Sequence, residues 1–359
     1  MSVAINGTNG ITYNDGSLQP SAPVGKNLII NGNMTIDQRN SGSVTTPGNN
    51  IYTLDRWQTG LSQSSKYSVQ QVVDAPSGFY NSIKATVLAT VSLGATDYFM
   101  LKHKIEGYNV ADLNFGTASP ETITLSFWVK SSVTGTFGGG IQNSSEARGY
   151  AFNYTISSAS TWEYKTVTLT GDTTGTWDKT TGTGLWLNLA LGVGTTYSKT
   201  VGSWGAGPVL GATGATNLLA TGSATIQFTG VQLEVGTTAT PFEHLQYGQQ
   251  LALCQRYYQR FVSDASYTAF ATGLCTTTTQ MICALKYTTT MRASPTLTQS
   301  NTGINIQSQI ATASIGTSYL GKDSAFIPVN VSSGLTAGNA GLWNANNNAA
   351  AYVELNSEL

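Results

Sequence analysis

Charged side chains are scarce in this sequence. They make up 10% of its 359 residues, whereas about 25% is usual in soluble proteins, and the formal net charge is −1. Lys and Arg form no cluster, which argues against a nucleic-acid-binding surface. The sequence also lacks an apolar run of about 18 residues, the length that a membrane-spanning helix requires. The segment MSVAINGTNG has neither the charged nor the apolar region of a signal peptide. We therefore expect a protein made in a cytoplasm, with neither nucleic acid nor membrane as a partner.

Histidine is rarer still, with two in the chain. His103 falls on the apolar face of a predicted strand and is interpreted as a packed core residue, and His244 falls on a predicted helix. The sequence has neither the G-x-S-x-G turn of a serine hydrolase nor a His-based zinc motif. A glycosidase needs two carboxylates, and a pair such as Glu146 and Asp172 stays open, although no spacing singles it out. We therefore expect no enzymatic activity, no catalytic residue and no cofactor.

Cysteine occurs three times, as Cys254, Cys275 and Cys283. An odd number of cysteines without zinc-like spacing predicts neither a disulfide framework nor a metal site. We interpret the three side chains as small buried apolar residues.

Thr, Ser, Gly and Asn take the place of the missing charges, and they alternate with apolar residues. In ETITLSFWVKSS, for example, Ile123, Leu125, Phe127 and Val129 point one way and Trp128 points the other. Many one-sided strands without interleaved helices favour antiparallel sheets. The predicted fold class is mainly β: an antiparallel β-sandwich of the jelly-roll type, a short helix and a small C-terminal β-domain.

The pattern divides the chain into four segments. Residues 1–25 combine short apolar stretches with turn signals and cannot bury a core alone. Residues 26–240 carry the strand pattern of the jelly roll, residues 241–262 the helix, and residues 263–359 the small β-domain. Within the jelly roll, the apolar phase slips by one residue at Gly230, which predicts a β-bulge.

Tryptophans on the polar faces of strands are candidates for glycan contacts, because aromatic rings stack on sugar C–H faces while amides bind hydroxyls. In GLWLNLALG, Trp186 and Asn188 lie opposite a leucine stripe, and Trp128 lies opposite the apolar stripe of its own strand. Trp177 and Trp204 fall in Gly-rich loops, where we expect exposure. These five are the predicted glycan-binding residues. The alternative is that Trp128 and Trp186 fill a subunit interface or lie under a loop.

The stretch PFEHLQYGQQLALCQRYYQRF, residues 241–261, has the clearest helical pattern. Its apolar residues recur at steps of three and four, which makes a stripe along one face of a helix. A helix this short is marginal in water, so the stripe must pack against something. It either docks on its own sandwich or gathers three copies of the chain into a trimer. In a trimer, the seam residues are Tyr247, Leu251, Cys254, Tyr258 and Phe261.

Four stretches, NLIINGNMTIDQR, YTLDRW, LSFWVKSS and GVQLEVGTTATPFEHLQYGQQLALCQRYYQRF, together resemble a recurring pattern in tail-fibre and related structural proteins of tailed bacteriophages. The central block resembles a carbohydrate-binding-module-like jelly roll. The resemblance implies a homotrimeric virion appendage that adsorbs to a bacterial surface polysaccharide. It also implies an N-terminal segment that attaches to other tail or virion proteins, and a C-terminal domain that forms the distal tip. A head fibre, a capsid decoration or a baseplate component is the alternative, and a polysaccharide depolymerase is less favoured.

Jelly-roll modules of this kind often hold a structural Ca²⁺ between the ends of the domain, on oxygen ligands. Asp37 and Glu234 flank the start and the end of the block and are the candidate metal ligands. Ordinary hydrogen bonding of Glu234 to the adjoining turn is the alternative.

Overall fold

The structure of the chain is a computed structural model that describes residues 4–6, 10–12, 18–19, 25–300, 302–305, 309–312 and 314–359. The predicted attachment segment, residues 1–25, therefore lies partly outside the described residues. Its described parts are three short strands in one antiparallel sheet: β1 (Ala4–Asn6), β2 (Gly10–Thr12) and β3 (Leu18–Gln19).

The chain forms two compact units. The first unit comprises Met1–Thr35, Gly42–Thr53 and Trp57–Leu245. The second unit comprises Ile36–Ser41, Leu54–Arg56 and Gln246–Leu359. Two short pieces of the N-terminal half thus belong to the C-terminal unit. The described residues include no helix with the length and apolar character that a bilayer crossing requires.

Two large antiparallel sheets dominate the first unit. Its further strands, in chain order, are β4 (Tyr52–Leu54), β5 (Trp57–Leu61), β6 (Tyr67–Val72), β7 (Ser82–Val87), β8 (Tyr98–Glu106), β9 (Ile123–Ser131), β10 (Gly135–Gln142), β11 (Arg148–Ile156), β12 (Glu163–Leu169), β13 (Thr183–Val193), β14 (Ser198–Lys199), β15 (Trp204–Ala206), β16 (Gly211–Ala212) and β17 (Thr225–Val235). The larger sheet has seven strands in the order β15-β11-β10-β13-β8-β5-β4, and the smaller has five in the order β12-β9-β17-β7-β6. β14 and β16 form a short parallel pair. Short 3₁₀ helices lie at Gly107–Asn109, Ala111–Leu113 and Leu218–Ala220.

The apolar faces of the two sheets pack together as a sandwich. Phe127 of β9 lies edge-on to Tyr154 of β11, with ring centroids 5.0 Å apart, so this contact joins the smaller sheet to the larger one. The leucine stripe of β13 and the aliphatic stripe of β9 are fully buried. Burying each such side chain contributes about 1.5–3 kcal/mol. The predicted fold class is confirmed: the chain is mainly β, with antiparallel sheets in a sandwich and one short α-helix.

The predicted bulge at Gly230 is confirmed. The pairing of β17 with β9 shifts register between Thr229 and Gln232. Gly230 has a φ of 59°, in the left-handed region that favours glycine. A Cβ at this position would lie 2.6 Å from the ring of Phe79. Both the backbone conformation and the space therefore call for glycine.

The helix is shorter than the sequence predicts. α1 spans Tyr247–Gln255, and Gln246 and Gln249 form a capping box at its start. Tyr258–Val262, predicted to continue the helix, is instead strand β18, which pairs with residues 352–356. The predicted extent, 241–262, is wrong because this pairing joins residues nearly a hundred positions apart, which local spacing does not reveal.

The second unit is a small β-structure around its own core. Its strands are β18, β19 (Ala269–Cys275), β20 (Gln280–Lys286), β21 (Thr296–Ser300), β22 (Gly303–Asn305), β23 (Gln309–Ala311), β24 (Ser314–Ile315), β25 (Tyr319–Leu320), β26 (Ser324–Asn330), β27 (Ala340–Asn344) and β28 (Tyr352–Asn356). β18, β28 and β21 form one sheet, and the remaining strands form a second sheet. Trp343 is fully buried in the core. Cys275 and Cys283 are also core residues, and Cys254 is buried too, as predicted for all three cysteines.

A buried ion cluster explains several of the sequence motifs. The carboxylate of Glu358 accepts hydrogen bonds from Arg39, at 3.0 Å, and from Arg56. The guanidinium of Arg56 lies 3.7 Å from the ring centroid of Tyr257, and that of Arg39 lies 3.6 Å from that of Tyr258. The arginines of NMTIDQR and YTLDRW and the tyrosines of LCQRYY therefore meet inside the second unit, so these motifs specify architecture.

This burial corrects part of the predicted trimer seam. Cys254 and Tyr258 have relative exposures of 0% and 3% within the single chain, so neither is available to a sister chain. Phe261 packs against the core of the second unit. Tyr247 is 62% exposed and Leu251 is half-buried, so these two remain the accessible members of the predicted seam.

Candidate functional site

The seven-stranded sheet arranges polar residues in rows across its outer face. Lys102 of β8 is directly opposed by Gln58 of β5 on one side and by Asn188 of β13 on the other. In the next row, Trp186 of β13 lies opposite Lys104 of β8. Successive side chains of a strand alternate between its faces, so these residues point away from the buried leucine stripe. Regular alternation on two neighbouring strands thus builds one continuous polar surface.

A cavity of about 200 Å³ opens on this surface. We call it the polar pocket. Its lining residues are Asn49, Asn50, Tyr98, Met100, Lys102, Glu146, Trp186, Asn188, Tyr197 and Leu210. Trp186 and Asn188, predicted from the sequence to share a face, are therefore brought together in one pocket.

Two polar groups in the polar pocket are left without hydrogen-bond partners. Asn188 is fully buried, and its Nδ2 donates to the carbonyl of Val209 at 3.3 Å, but its Oδ1 has no partner among the described residues. Within the same described part of the chain, the buried Nε1 of Trp186 has none either. An unsatisfied buried polar group costs about 1–3 kcal/mol. The residues that line the polar pocket thus include one acceptor and one donor without partners among the described residues.

Lys102 is the least usual residue of the polar pocket. Its relative exposure is 7%, and its ammonium donates to Oδ1 of Asn50 at 2.5 Å. The ammonium lies 5.4 Å from the ring centroid of Trp186, and that of Lys104 lies 4.8 Å from the same ring. Burial lowers the pKa of Lys102 from 10.5 to about 8; the charge of Lys104 lowers it further and that of Glu146 opposes the change.

Aromatic rings and one carboxylate complete the rim. Tyr98 and Tyr197 are perpendicular to each other with centroids 5.7 Å apart, and Asn49 donates to the Tyr98 hydroxyl at 3.3 Å. Glu146 lies in the turn between β10 and β11, with a φ of 57°. Its suggested catalytic partner, Asp172, does not line the pocket, because Arg148 holds both of its carboxylate oxygens at 2.8 and 2.6 Å.

An aromatic groove of about 570 Å³ lies on the outer face of the five-stranded sheet. It contains the predicted residue Trp128, whose ring centroid is 5.3 Å from that of Tyr164. Its further ring-bearing residues are Phe79, Phe242 and His244, which contact one another with centroids 4.9–5.2 Å apart. His244 precedes α1, so its predicted place on the helix stripe is wrong. His103, predicted to be a core residue, is fully buried beside Trp57.

The remaining two predicted tryptophans line neither cavity. Trp177 is only 8% exposed, with its ring against Phe115 and Trp204 at 5.0 and 5.4 Å, so its expected exposure is wrong. Trp204 is half-buried, and its Nε1 donates to the carbonyl of Thr170 at 2.7 Å. Trp204 is also not in a loop as predicted, because it begins strand β15 and pairs with Tyr150 of β11. Both rings pack against aromatic neighbours, which alternation cannot indicate.

Asp37 and Glu234, the two predicted metal ligands, belong to different compact units. Glu234 accepts hydrogen bonds from the backbone amide of Thr240 at 2.9 Å, from its hydroxyl at 2.5 Å and from Gln232 at 2.8 Å. In the part of the chain that the structure describes, no three His, Cys, Asp or Glu side chains are grouped as a metal site. Glu234 thus follows the alternative interpretation, hydrogen bonding to the adjoining turn.

Sequence reasoning missed Lys102 and the two tyrosines of the polar pocket, and it named Glu146 only as a possible catalytic carboxylate. Lys102 carried a usable signal, because it alternates with the buried residues of DYFMLKHKI and so falls on the polar face of its strand. The other three reach the pocket from turns and strand ends, where position depends on the pairing of distant strands.

No family model and no curated protein sequence matches the chain. Among solved structures, it is similar to the enzymatically active domain of tailspike protein 4 of bacteriophage CBA120, at 12% identity over 54% of this chain and with a TM-score of 0.29. The match spans 21% of that tailspike chain. A putative sugar-binding protein of Bacteroides thetaiotaomicron matches at 12% identity over 58% of this chain and 100% of its own, with a TM-score of 0.35. A family 11 carbohydrate-binding module of Clostridium thermocellum matches at 10% identity over 55% and 98%, with a TM-score of 0.28. Similarities this low transfer no activity.

Proposed function

We propose that this protein is a non-enzymatic virion appendage that binds a bacterial surface glycan in the polar pocket. One observation carries the glycan-binding part: Trp186 and Asn188 both line the pocket, and the buried Nε1 of the first and Oδ1 of the second have no partners among the described residues. Buried polar groups are normally hydrogen-bonded, so an exception points to a bound partner or to a function. A ligand that both donates and accepts hydrogen bonds satisfies both groups at once.

A sugar ring meets these requirements better than an apolar ligand. Each hydroxyl both donates and accepts, so it satisfies the acceptor on Asn188 and the donor on Trp186. The Glu146 carboxylate at the rim accepts from a further hydroxyl, while the rings of Tyr98 and Tyr197 offer apolar surface to sugar C–H groups. Binding sites combine apolar walls with a few placed polar groups in this way.

The absence of a second carboxylate favours binding over cleavage. Among the described residues that line the polar pocket, Glu146 is the one acidic side chain. Glycoside hydrolysis ordinarily uses two carboxyl groups on either side of the scissile bond. A depolymerase would release new reducing ends from host capsule, and we expect none.

The virion part of the proposal depends on the resemblance of the sequence motifs to tail-fibre proteins of tailed bacteriophages. On this basis the protein is a homotrimeric tail fibre or receptor-binding protein, anchored to other virion proteins through its N-terminal segment, with residues 263–359 as the distal tip. A head fibre, a capsid decoration or a baseplate component would share the same motifs. Labelling the protein in intact virions and locating it by electron microscopy separates these alternatives.

Calorimetric titration with oligosaccharides from host capsule or lipopolysaccharide tests the glycan-binding part. Asn188→Leu and Trp186→Phe each remove one of the free polar groups, and we expect a loss of about tenfold or more in affinity, equivalent to about 1.4 kcal/mol. Trp128→Ala is the control, because Trp128 lies in the aromatic groove of the other sheet. If Trp128→Ala alone lost binding, the glycan site would be the aromatic groove and not the polar pocket. No binding of any host glycan would refute the function.

A further inference from the structure

Lys102 is a buried lysine that no carboxylate of the described residues approaches closely enough to form an ion pair. Its ammonium donates to the neutral Asn50, and within the described residues it forms no ion pair. Buried charges in proteins are nearly always paired or bound to a counter-ion, because leaving them unpaired in a poorly solvated place is costly. Because Lys102 is only 7% exposed and lines a cavity, its ammonium is a candidate binding group for an anionic ligand in that cavity.

The polar pocket has one lysine and one glutamate in its described lining, and a second lysine lies nearby. Lys102 and Lys104 both lie near the ring of Trp186, and Glu146 is the one acidic side chain in the described lining. The cross-strand neighbours of Lys102, Gln58 and Asn188, are neutral. The ammonium of Lys102 thus lies beside groups that bind hydroxyls, and among the described residues no carboxylate forms an ion pair with it.

We propose that the polar pocket recognises an acidic sugar, whose carboxylate pairs with the Lys102 ammonium while its hydroxyls bind Asn188 and Trp186. This inference deepens the proposed function and depends on it. A uronic acid residue is close in size to a neutral hexose and so fits the same cavity of about 200 Å³. Hydrogen bonds between ionised partners are roughly twice as strong as neutral ones, so the carboxylate supplies discrimination against the neutral sugar.

Saturation-transfer NMR with simple probes tests the charge requirement without knowledge of the host glycan. The probes are the methyl glycosides of glucuronic and galacturonic acid, their neutral counterparts methyl glucoside and methyl galactoside, and sodium acetate. We expect at least one acidic glycoside to bind at least tenfold more tightly than its neutral counterpart and than acetate. The matched variants are Lys102→Met, which removes the buried charge, and Lys104→Met, which removes the less buried charge beside the same tryptophan.

The outcomes separate this inference from the proposed function. Lys102→Met should abolish the preference, so that acidic and neutral glycosides bind equally, and Lys104→Met should reduce the preference less. The contrary result is that the unaltered protein binds acidic and neutral glycosides equally, with Asn188→Leu weakening both. That result would overturn the acidic specificity, while the proposal of glycan binding would still hold. Acetate binding as tightly as the acids would also overturn it, since the site would then recognise a bare anion. If no glycoside binds and the host glycans fail as well, the proposed function itself fails.

Discussion

Lys102 and Asn188 are directly opposed in the β8–β13 ladder, and both line the polar pocket. One offers a buried positive charge, and the other offers a buried carbonyl oxygen without a partner in the described part of the chain. Cross-strand neighbours have Cβ atoms about 4.5–5.5 Å apart, so a single sugar residue can reach both. This pair is the structural basis for the proposed recognition of an acidic glycan.

Binding of an acidic sugar should weaken as pH rises above about 8. Burial sets the pKa of Lys102 at about 8 in the free protein, so the ammonium deprotonates above this value and the attraction to a carboxylate is lost. Affinity should be flat below pH 7 and fall by up to about tenfold per pH unit above pH 8. Titrations of methyl glucuronide at pH 6.5, 8 and 9.5 measure this, with methyl glucoside as the pH-independent control. A flat profile for the acid would exclude Lys102 as its partner.

Lys102→Met should fold, because the native charge opposes stability. The folded pKa is depressed below the ordinary value of 10.5, so between about pH 8 and pH 10.5 the unfolded chain binds more protons and stability rises with pH. Below pH 8 the full penalty of the buried charge is present. Thermal unfolding at pH 7 should therefore give Lys102→Met a melting temperature equal to or above that of the unaltered protein. A clear drop would mean that the charge is paired within the fold.

Arg56→Met should destabilise the second unit strongly. The change leaves the carboxylate of Glu358 with one arginine fewer and removes the guanidinium from the ring of Tyr257. Breaking a buried ion pair by removing one partner costs about 3–5 kcal/mol. Lys286→Met, which deletes an exposed positive charge of the same unit, should change stability by less than about 0.5 kcal/mol. Differential scanning calorimetry compares the two variants. If Arg56→Met and Lys286→Met have similar melting temperatures, the ion cluster contributes little to the stability of the second unit.

Two glycine substitutions should act in opposite directions. Gly230→Ala forces a side chain into the left-handed region and against Phe79, so it should lower stability by at least about 1–2 kcal/mol. Gly248 lies in α1 with open space around its missing Cβ, and Ala there should raise helix stability by up to about 1 kcal/mol. Denaturant titrations compare the two variants. Equal effects would mean that the bulge tolerates a side chain.

The proposed trimer predicts a solution mass of three times 37.8 kDa. If α1 contributes to the seam, Leu251→Asp should dissociate the trimer, since burying an unpaired carboxylate costs several kcal/mol. Gln255→Ala, one helical turn further on, should leave it intact. Light scattering coupled to size-exclusion chromatography measures both variants. A monomer at micromolar concentration for the unaltered chain would contradict the trimer.

Residue alternation predicted much of the first unit, because a one-sided strand shows its buried face in the sequence. It placed Trp186 and Asn188 on one polar face, and the slip at Gly230 revealed the bulge. It gave no account of Glu146, which reaches the polar pocket from a turn. It also failed at Tyr258, where spacing of three and four suited a helix but pairing with a distant strand decided the structure. Local periodicity thus reports which face is buried, whereas the neighbours across that face depend on chain pairing.

A crystal structure of the protein with a bound host oligosaccharide tests the central claim most directly. We expect a sugar residue in the polar pocket, with a hydroxyl hydrogen-bonded to Oδ1 of Asn188, another to Nε1 of Trp186, and a carboxylate within 4 Å of the Lys102 ammonium. A glycan bound in the aromatic groove against Trp128 and Tyr164, with the polar pocket empty, would contradict it.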